Sequence, residues 1–422
     1  MISLGMASAV QLASLAVSIG AYLFVCRREG TYFNIMTPSF IVDIPAFYLL
    51  PLAYNSVFGI EGSTYAYTYV YATLATENVI FAFVYTRPQS RPVRLPFAYG
   101  YGNFWFLSVA FLALAGLLFV PLLLEFREYI FDPRRLYELT RTGAGAGYYL
   151  SSTAAYLATV LALFSRKSGV QKTLVILAAV VVLSLHGSKG QVLSLLLLVV
   201  MFEVYVRRRK LKILPALLAS LGFAIVLIGM FAATMALGDF GEALETLSSY
   251  SDYTRNAMLV IDSNLPRQYG RLTWESNVIA LVPRALMPDK PKDYGAFYLD
   301  QEFYPSKMEL DQGVPAFGVG VQYADFGALA IVYLGLFAAF RGWLARVFVG
   351  RVRQTRHPAD FIVLAFLAGI TLLPIGIGWP LPETFLVALG LRFVTSIGAD
   401  RVCREYIGFR PSVLPARGLE GV

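Results

Sequence analysis

Apolar runs of roughly twenty residues recur from one end of this chain to the other, broken by short charged or Gly/Pro-bearing segments, which is the spacing that bilayer-spanning helices require. The runs fall at about 3–25, 36–58, 64–86, 104–126, 146–165, 173–187, 190–206, 213–236, 318–340, 360–377 and 381–399. Between 237 and 317 the pattern lapses into a long polar stretch. Unpaired backbone groups are costly in hydrocarbon, so spans must be helices or closed barrels, and continuous runs of this length fit helices. The expected fold is all-α: a polytopic membrane helix bundle of about eleven transmembrane helices, a single domain over 1–422, with one long loop at 237–317.

Composition supports the bilayer as solvent, because 57% of the residues are hydrophobic and 15% charged, against roughly 45–50% and 25% in a soluble domain. The first run is followed by Arg27 and Arg28, the reverse of a signal peptide's charge order, so it reads as a retained span. Lys and Arg outnumber Asp and Glu by 35 to 27. In a membrane chain that excess reports topology and calls for no nucleic-acid partner. Basic clusters occupy every second loop, from Arg27/Arg28 through Arg87/Arg91/Arg94, Arg166/Lys167/Lys172, Arg207–Lys212 and Arg341–Arg356 to Arg401/Arg404/Arg410. The positive-inside rule makes those loops cytoplasmic, places the N-terminus and the 237–317 loop outside, and leaves the C-terminus inside. The arginines at 127–141 run against this alternation and are read as having an external task. The spans themselves read as almost charge-free, which argues against a transporter.

Cys26 and Cys403 stand apart from any histidine cluster, so neither cysteine nor histidine spacing suggests a metal site, and none is expected.

Candidate chemistry concentrates in two places. In the long loop, Leu244, Leu247, Tyr250, Thr254, Met258 and Ile261 share a helical face, with Asp252, Arg255 and Asn256 on the neighbouring one. This predicts an interfacial helix, either a simple cover or one that offers Arg255 to an anionic head group. Further on, prolines at 283, 288 and 291 stiffen a basic turn carrying Arg284, Lys290 and Lys292. Those cations either meet an anion or pair with Asp289 and Asp293. The second place is the turn Leu185-His186-Gly187-Ser188-Lys189-Gly190 between two spans. Lys189 is a turn residue or serves a polar cavity, and His186 is a satisfied helix-end histidine or a general base.

Three segments carry a resemblance: Pro283-Arg284 with Pro288-Asp289-Lys290-Pro291, the Gly-Ser-Lys-Gly turn at 187–190, and Gly320-Val321-Gln322-Tyr323-Ala324-Asp325-Phe326-Gly327. Together they resemble the bacterial Wzy-type O-antigen polymerases over about residues 180–345. Two departures are Lys189, where the family usually has Arg, and Val321, where a Glu is common.

The resemblance implies a GT-C-like glycosyltransferase of the bacterial inner membrane, with a periplasmic N-terminus and loop, independent of metals and cofactors. It would transfer an undecaprenyl-diphosphate-linked glycan to a lipid-linked repeat unit, with a chain-length regulator as a further candidate partner beside membrane lipid. Lys189, Arg255, Arg284 and Lys290 are the candidates for the diphosphate, since a leaving diphosphate needs positioned cations. His186, Glu275, Asp252 and Asp289 are alternative bases, and Tyr323 and Tyr298 are candidates for acceptor or sugar contact. Competing readings are an O-antigen ligase acting on the lipid A core and a flippase or exporter of lipid-linked sugars.

Overall fold

In a computed structural model of the protein, the residues described are 4–59, 62–88, 102–129, 136, 145–187, 189–210, 252–282, 286–291, 293–306, 316–370 and 381–397, and all regular structure among them is helical. The first helix, α1 (Leu4–Glu29), is followed by α2 (Thr37–Ile44), a π-turn at Pro45–Leu49, and α3 (Leu50–Phe58). Pro45 cannot donate a backbone hydrogen bond, and the span passes this point by widening locally. Then come α4 (Thr64–Tyr85), α5 (Phe104–Glu125), α6 (Gly145–Phe164), α7 (Gly169–Leu185) and α8 (Lys189–Met201), the last ending in a second π-turn at Phe202–Val206.

The helix starts are written in the sequence. Ser63 caps α4 by accepting from Ala66 N at 3.0 Å, and Ser168 with Gln171 forms a capping box on α7.

Short helices follow: α9 (Asp252–Asp262), α10 (Arg271–Asn277), α11 (Phe297–Phe303) and α12 (Gly320–Phe326). The chain then enters α13 (Ala330–Thr355), α14 (Pro358–Leu367) and α15 (Leu381–Ser396). Among the described residues, four helices are long and apolar enough to cross a membrane: Gly5–Glu29, Phe104–Glu125, Gly147–Phe164 and the combined Gly320–Thr355. Shorter apolar helices lie at Gly169–Leu185, Gly190–Val206 and Pro358–Leu367. On α5 the side chains of Phe106, Leu117 and Leu124 are 66–70% exposed, an outward apolar face that suits lipid and not water. The protein is thus a polytopic helical membrane protein.

Its bundle is held by α5 on α6 and by α4 packed between α1 and α13. Gly342 lets α13 approach α4 closely, since a Cβ there would sit 2.8 Å from the carbonyl oxygen of Phe81.

Two expectations change. Helix α13 does not stop near residue 340. It runs 26 residues, about 39 Å, because nothing breaks it before His357-Pro358, and Arg341 therefore belongs to the span and not to a loop.

The spans, read as almost charge-free, also carry more charge than that. Asp43 lies in α2, Glu77 in α4 and Arg341 in α13, and Asp360 and Arg392 are buried in α14 and α15.

Helix α9 packs along α4. Asp262 accepts from Ser63 N at 2.6 Å at the head of α4, while Thr254 hydrogen-bonds Tyr71, eight residues or about 12 Å further down α4. The helix stands antiparallel beside α4 because Ala257, Met258 and Ile261 bury into a cluster with Tyr67, Val70 and Tyr71. The upstream positions Leu244, Leu247 and Tyr250 lie outside the described residues, as do Arg134, Arg135 and Arg141 of the 127–145 loop.

Candidate functional site

The long loop is fastened to the bundle by the segment that opens α12. A Cβ on Gly320 would lie 2.9 Å from the Cα of Ala257, so only glycine lets α12 rest on the backbone of α9. Tyr323 then packs edge-on to Tyr69 at 5.0 Å, and the Arg267 guanidinium lies 4.7 Å over its ring while donating to the Tyr323 carbonyl at 3.0 Å. Asp325 is buried and caps α10 from across the chain, accepting from Leu272 N at 3.0 Å and Thr273 N at 2.7 Å. Those are donors that a helix's first turn leaves unpaired. A small apolar cluster of Val260, Leu272, Leu299, Phe317 and Ala324 completes the loop's own core. Gly320, Tyr323, Ala324 and Asp325 thus make the Gly320–Gly327 run a docking device.

The residues singled out from sequence fall into distinct settings. Lys290 is buried at 7% exposure, donates to the Ala280 and Val282 carbonyls at 3.1 Å each, and stands 4.2 Å over the Tyr294 ring. It staples the Pro-rich turn. Glu275 accepts from Gly295 N at 2.7 Å and faces Arg271 at 3.6 Å. Arg271 also lies 4.8 Å over the ring of Tyr298. Burial and the nearby Glu302 carboxylate push the Tyr298 hydroxyl above its ordinary pKa. Asp289 is exposed. Arg255 sits 4.0 Å over the ring of Tyr54, and Asp252 opens the same helix.

His186 is fully buried at the end of α7, stacked on Phe119 at 4.2 Å and edge-on to Tyr148 at 4.8 Å. Its Nδ1 lies 2.6 Å from the Val182 carbonyl, and Gly187 turns the chain at φ +72°. Lys189 begins α8 just beyond this turn. Arg284 lies outside the described residues, as do the side chains of Asp252 and Lys189. Glu275, Lys290 and Tyr298 share the loop, whereas His186 lies in a separate cluster with Phe119, Leu122 and Tyr148.

Sequence reading missed a cavity of about 310 Å³ between α2, α4, α9, α12 and α13, lined by Asp43, Glu77 and Arg341 and reached by Gln322 of the docking segment. Isolated carboxylates inside apolar runs at 43 and 77 were the available signal, because ionisable residues in a span mark functional positions. Among the described residues, no three His, Cys, Asp or Glu side chains group as metal ligands.

No family model matches the chain, and no solved structure matches it. It is 34% identical over 395 residues to the O-antigen polymerase of Salmonella typhimurium, covering 92% of this chain and 94% of that one. The O-antigen polymerase of Salmonella typhi matches with the same identity and coverage. A likeness that extends over the spans, the docking segment and the long loop alike, at this identity and almost end to end, makes the chain a member of the O-antigen polymerase family.

Proposed function

We propose that this O-antigen polymerase moves a growing glycan from a polyprenyl-diphosphate carrier to a sugar hydroxyl of the next lipid-linked repeat unit, on the periplasmic face of the inner membrane. The observation that carries this reading is the near full-length likeness to O-antigen polymerases. It is supported by the alternation of basic loops, which puts the 237–317 segment outside in an eleven-span topology with the C-terminus in the cytoplasm.

The leaving diphosphate gathers charge as the anomeric bond breaks, so cations near the outer mouth do the electrostatic work. Lys189, Arg255 and Arg284 are assigned to it. Lys290 acts indirectly, since its ammonium holds the Ala280 and Val282 carbonyls, which precede Arg284 in the sequence. Asp252 and Asp289 are the preferred bases, because the Glu275 carboxylate is engaged by Gly295 N and Arg271 and His186 is enclosed by aromatic rings. Transfer proceeds without a metal, and a chain-length regulator is the expected protein partner.

Expression in cells lacking their own polymerase tests the reading. A ladder of repeat lengths on a glycan gel is the expected result. Single repeats on the lipid A core, from a stably expressed protein, would sink it in favour of ligase or exporter.

A further inference from the structure

The cavity beneath the loop holds three charged side chains brought from three helices, Asp43, Glu77 and Arg341. It follows α4 from Val70 to Phe81, a rise of about 16 Å. Its roof is made by Tyr253 and Thr254 of α9 and Gln322 of α12. A volume of about 310 Å³ is at the small end of ligand pockets, which run from roughly 300 to 1,000 Å³.

The three charges are close enough to act on one another. Arg341 attracts both carboxylates, and Asp43 repels Glu77. Yet among the described residues none of the three forms an ion pair or hydrogen bond with another, and Arg341 Nε is buried without a partner. Charges within a span are rare and expensive. Here the protein places three around a void with no ion pair among them; the Arg341 guanidinium lies 5.5 Å over the Phe81 ring, and its Nε is left for a hydrogen-bond acceptor that enters the void.

Charge and shape select the occupant. A single guanidinium beside two carboxyl groups is too little positive charge to hold a diphosphate. An uncharged polyol suits it: hydroxyls donate to Asp43 and Glu77 and accept from Arg341, satisfying all three groups. The rings of Phe47, Phe81 and Tyr253 line the same space, and flat rings pack against the apolar faces of sugars. Tyr48 and Asn78 line that space as well; the Tyr48 hydroxyl lies 3.1 Å from Ser14 Oγ and 3.0 Å from Ser18 Oγ, and Asn78 Nδ2 donates to Ser18 at 3.1 Å.

We infer that the Asp43–Glu77–Arg341 slot seats an uncharged sugar unit of a lipid-linked substrate, while the diphosphate stays with the cations of the outer loop. This rests on the polymerase reading.

The test uses the full chain in lipid nanodiscs and two ligands: the lipid-linked repeat unit and sugar-free undecaprenyl diphosphate. Glu77→Gln and Arg341→Gln are expected to weaken binding of the sugar-bearing lipid about tenfold while moving the sugar-free carrier less than about twofold. Ala338→Leu, which narrows the slot without touching a charge, should give the same split, and it decides the matter if either charge variant fails to fold. Equal losses for both lipids would mean that the slot holds the diphosphate, and unchanged binding of both would mean that it holds no ligand. Either result overturns the inference. Failure of the wild-type chain to form a ladder in cells would instead remove the polymerase reading, independently of these binding ratios.

Discussion

Two ionic clusters sit inside the same bundle and are built from the same kinds of side chain, yet they end differently. In the first, Asp360 of α14 is held by Arg351 of α13 at 3.3 Å and by Arg392 of α15, with Thr355 Oγ1 donating to the other carboxylate oxygen at 2.9 Å. The ion pairs are 0–7% exposed. In the second, Asp43, Glu77 and Arg341 converge on a cavity without closing on one another. A closed cluster spends its charges on fastening three helices, whereas an open one keeps them available. Burial alone does not separate architecture from function here; the pairing does.

The strongest way to break the comparison is Asp360→Ala, which would strand two guanidiniums in the interior and cost about 3–5 kcal/mol. Thermal melting and the level of protein in membranes would report it, and a normal melt would show that the cluster does not hold the helices. Arg284→Ala and Lys189→Ala come next, each expected to slow ladder formation about a hundredfold at normal protein levels, with Lys189→Arg milder. Wild-type ladders from both would remove the diphosphate assignment and leave the slot as the place to look.

Asp325→Ala removes the cap on α10 and should cost about 1–2 kcal/mol, read as earlier proteolysis of the loop. The smallest effect on stability is expected from Asp43→Asn, under about 1 kcal/mol, because its carboxylate makes no hydrogen bond to a described residue that the change would break. Its consequence should appear in repeat number on the gel. A large loss of stability there would erase the contrast between the two clusters.

What the sequence could disclose was whatever depends on neighbours along the chain. Span positions, the caps at Ser63 and Ser168 and the polar stretch before α12 all belong to that class. What escaped depends on neighbours in space. Arg341 shares a cavity with two carboxyl groups from α2 and α4, and nothing local to residue 341 says so. Its place in a basic series made it look like loop charge, although no helix breaker separates it from Ala330. Lys290 shows the converse, since a cation in a Pro-rich turn suggests an anion partner, and only the folded turn reveals the two carbonyls that hold it. The helical face at 254–261 was legible, but a pattern of apolar positions does not name the helix it packs against, which is α4.

The cap that Asp325 places on α10 joins the long loop to the helix leading back into the bundle. Exchanging loops between polymerases to alter the glycan they build would therefore fail if the graft ended at the hydropathy boundary. The natural cassette runs from α9 through Gly327, and its host must supply a matching Ser63 and Tyr69 to receive it.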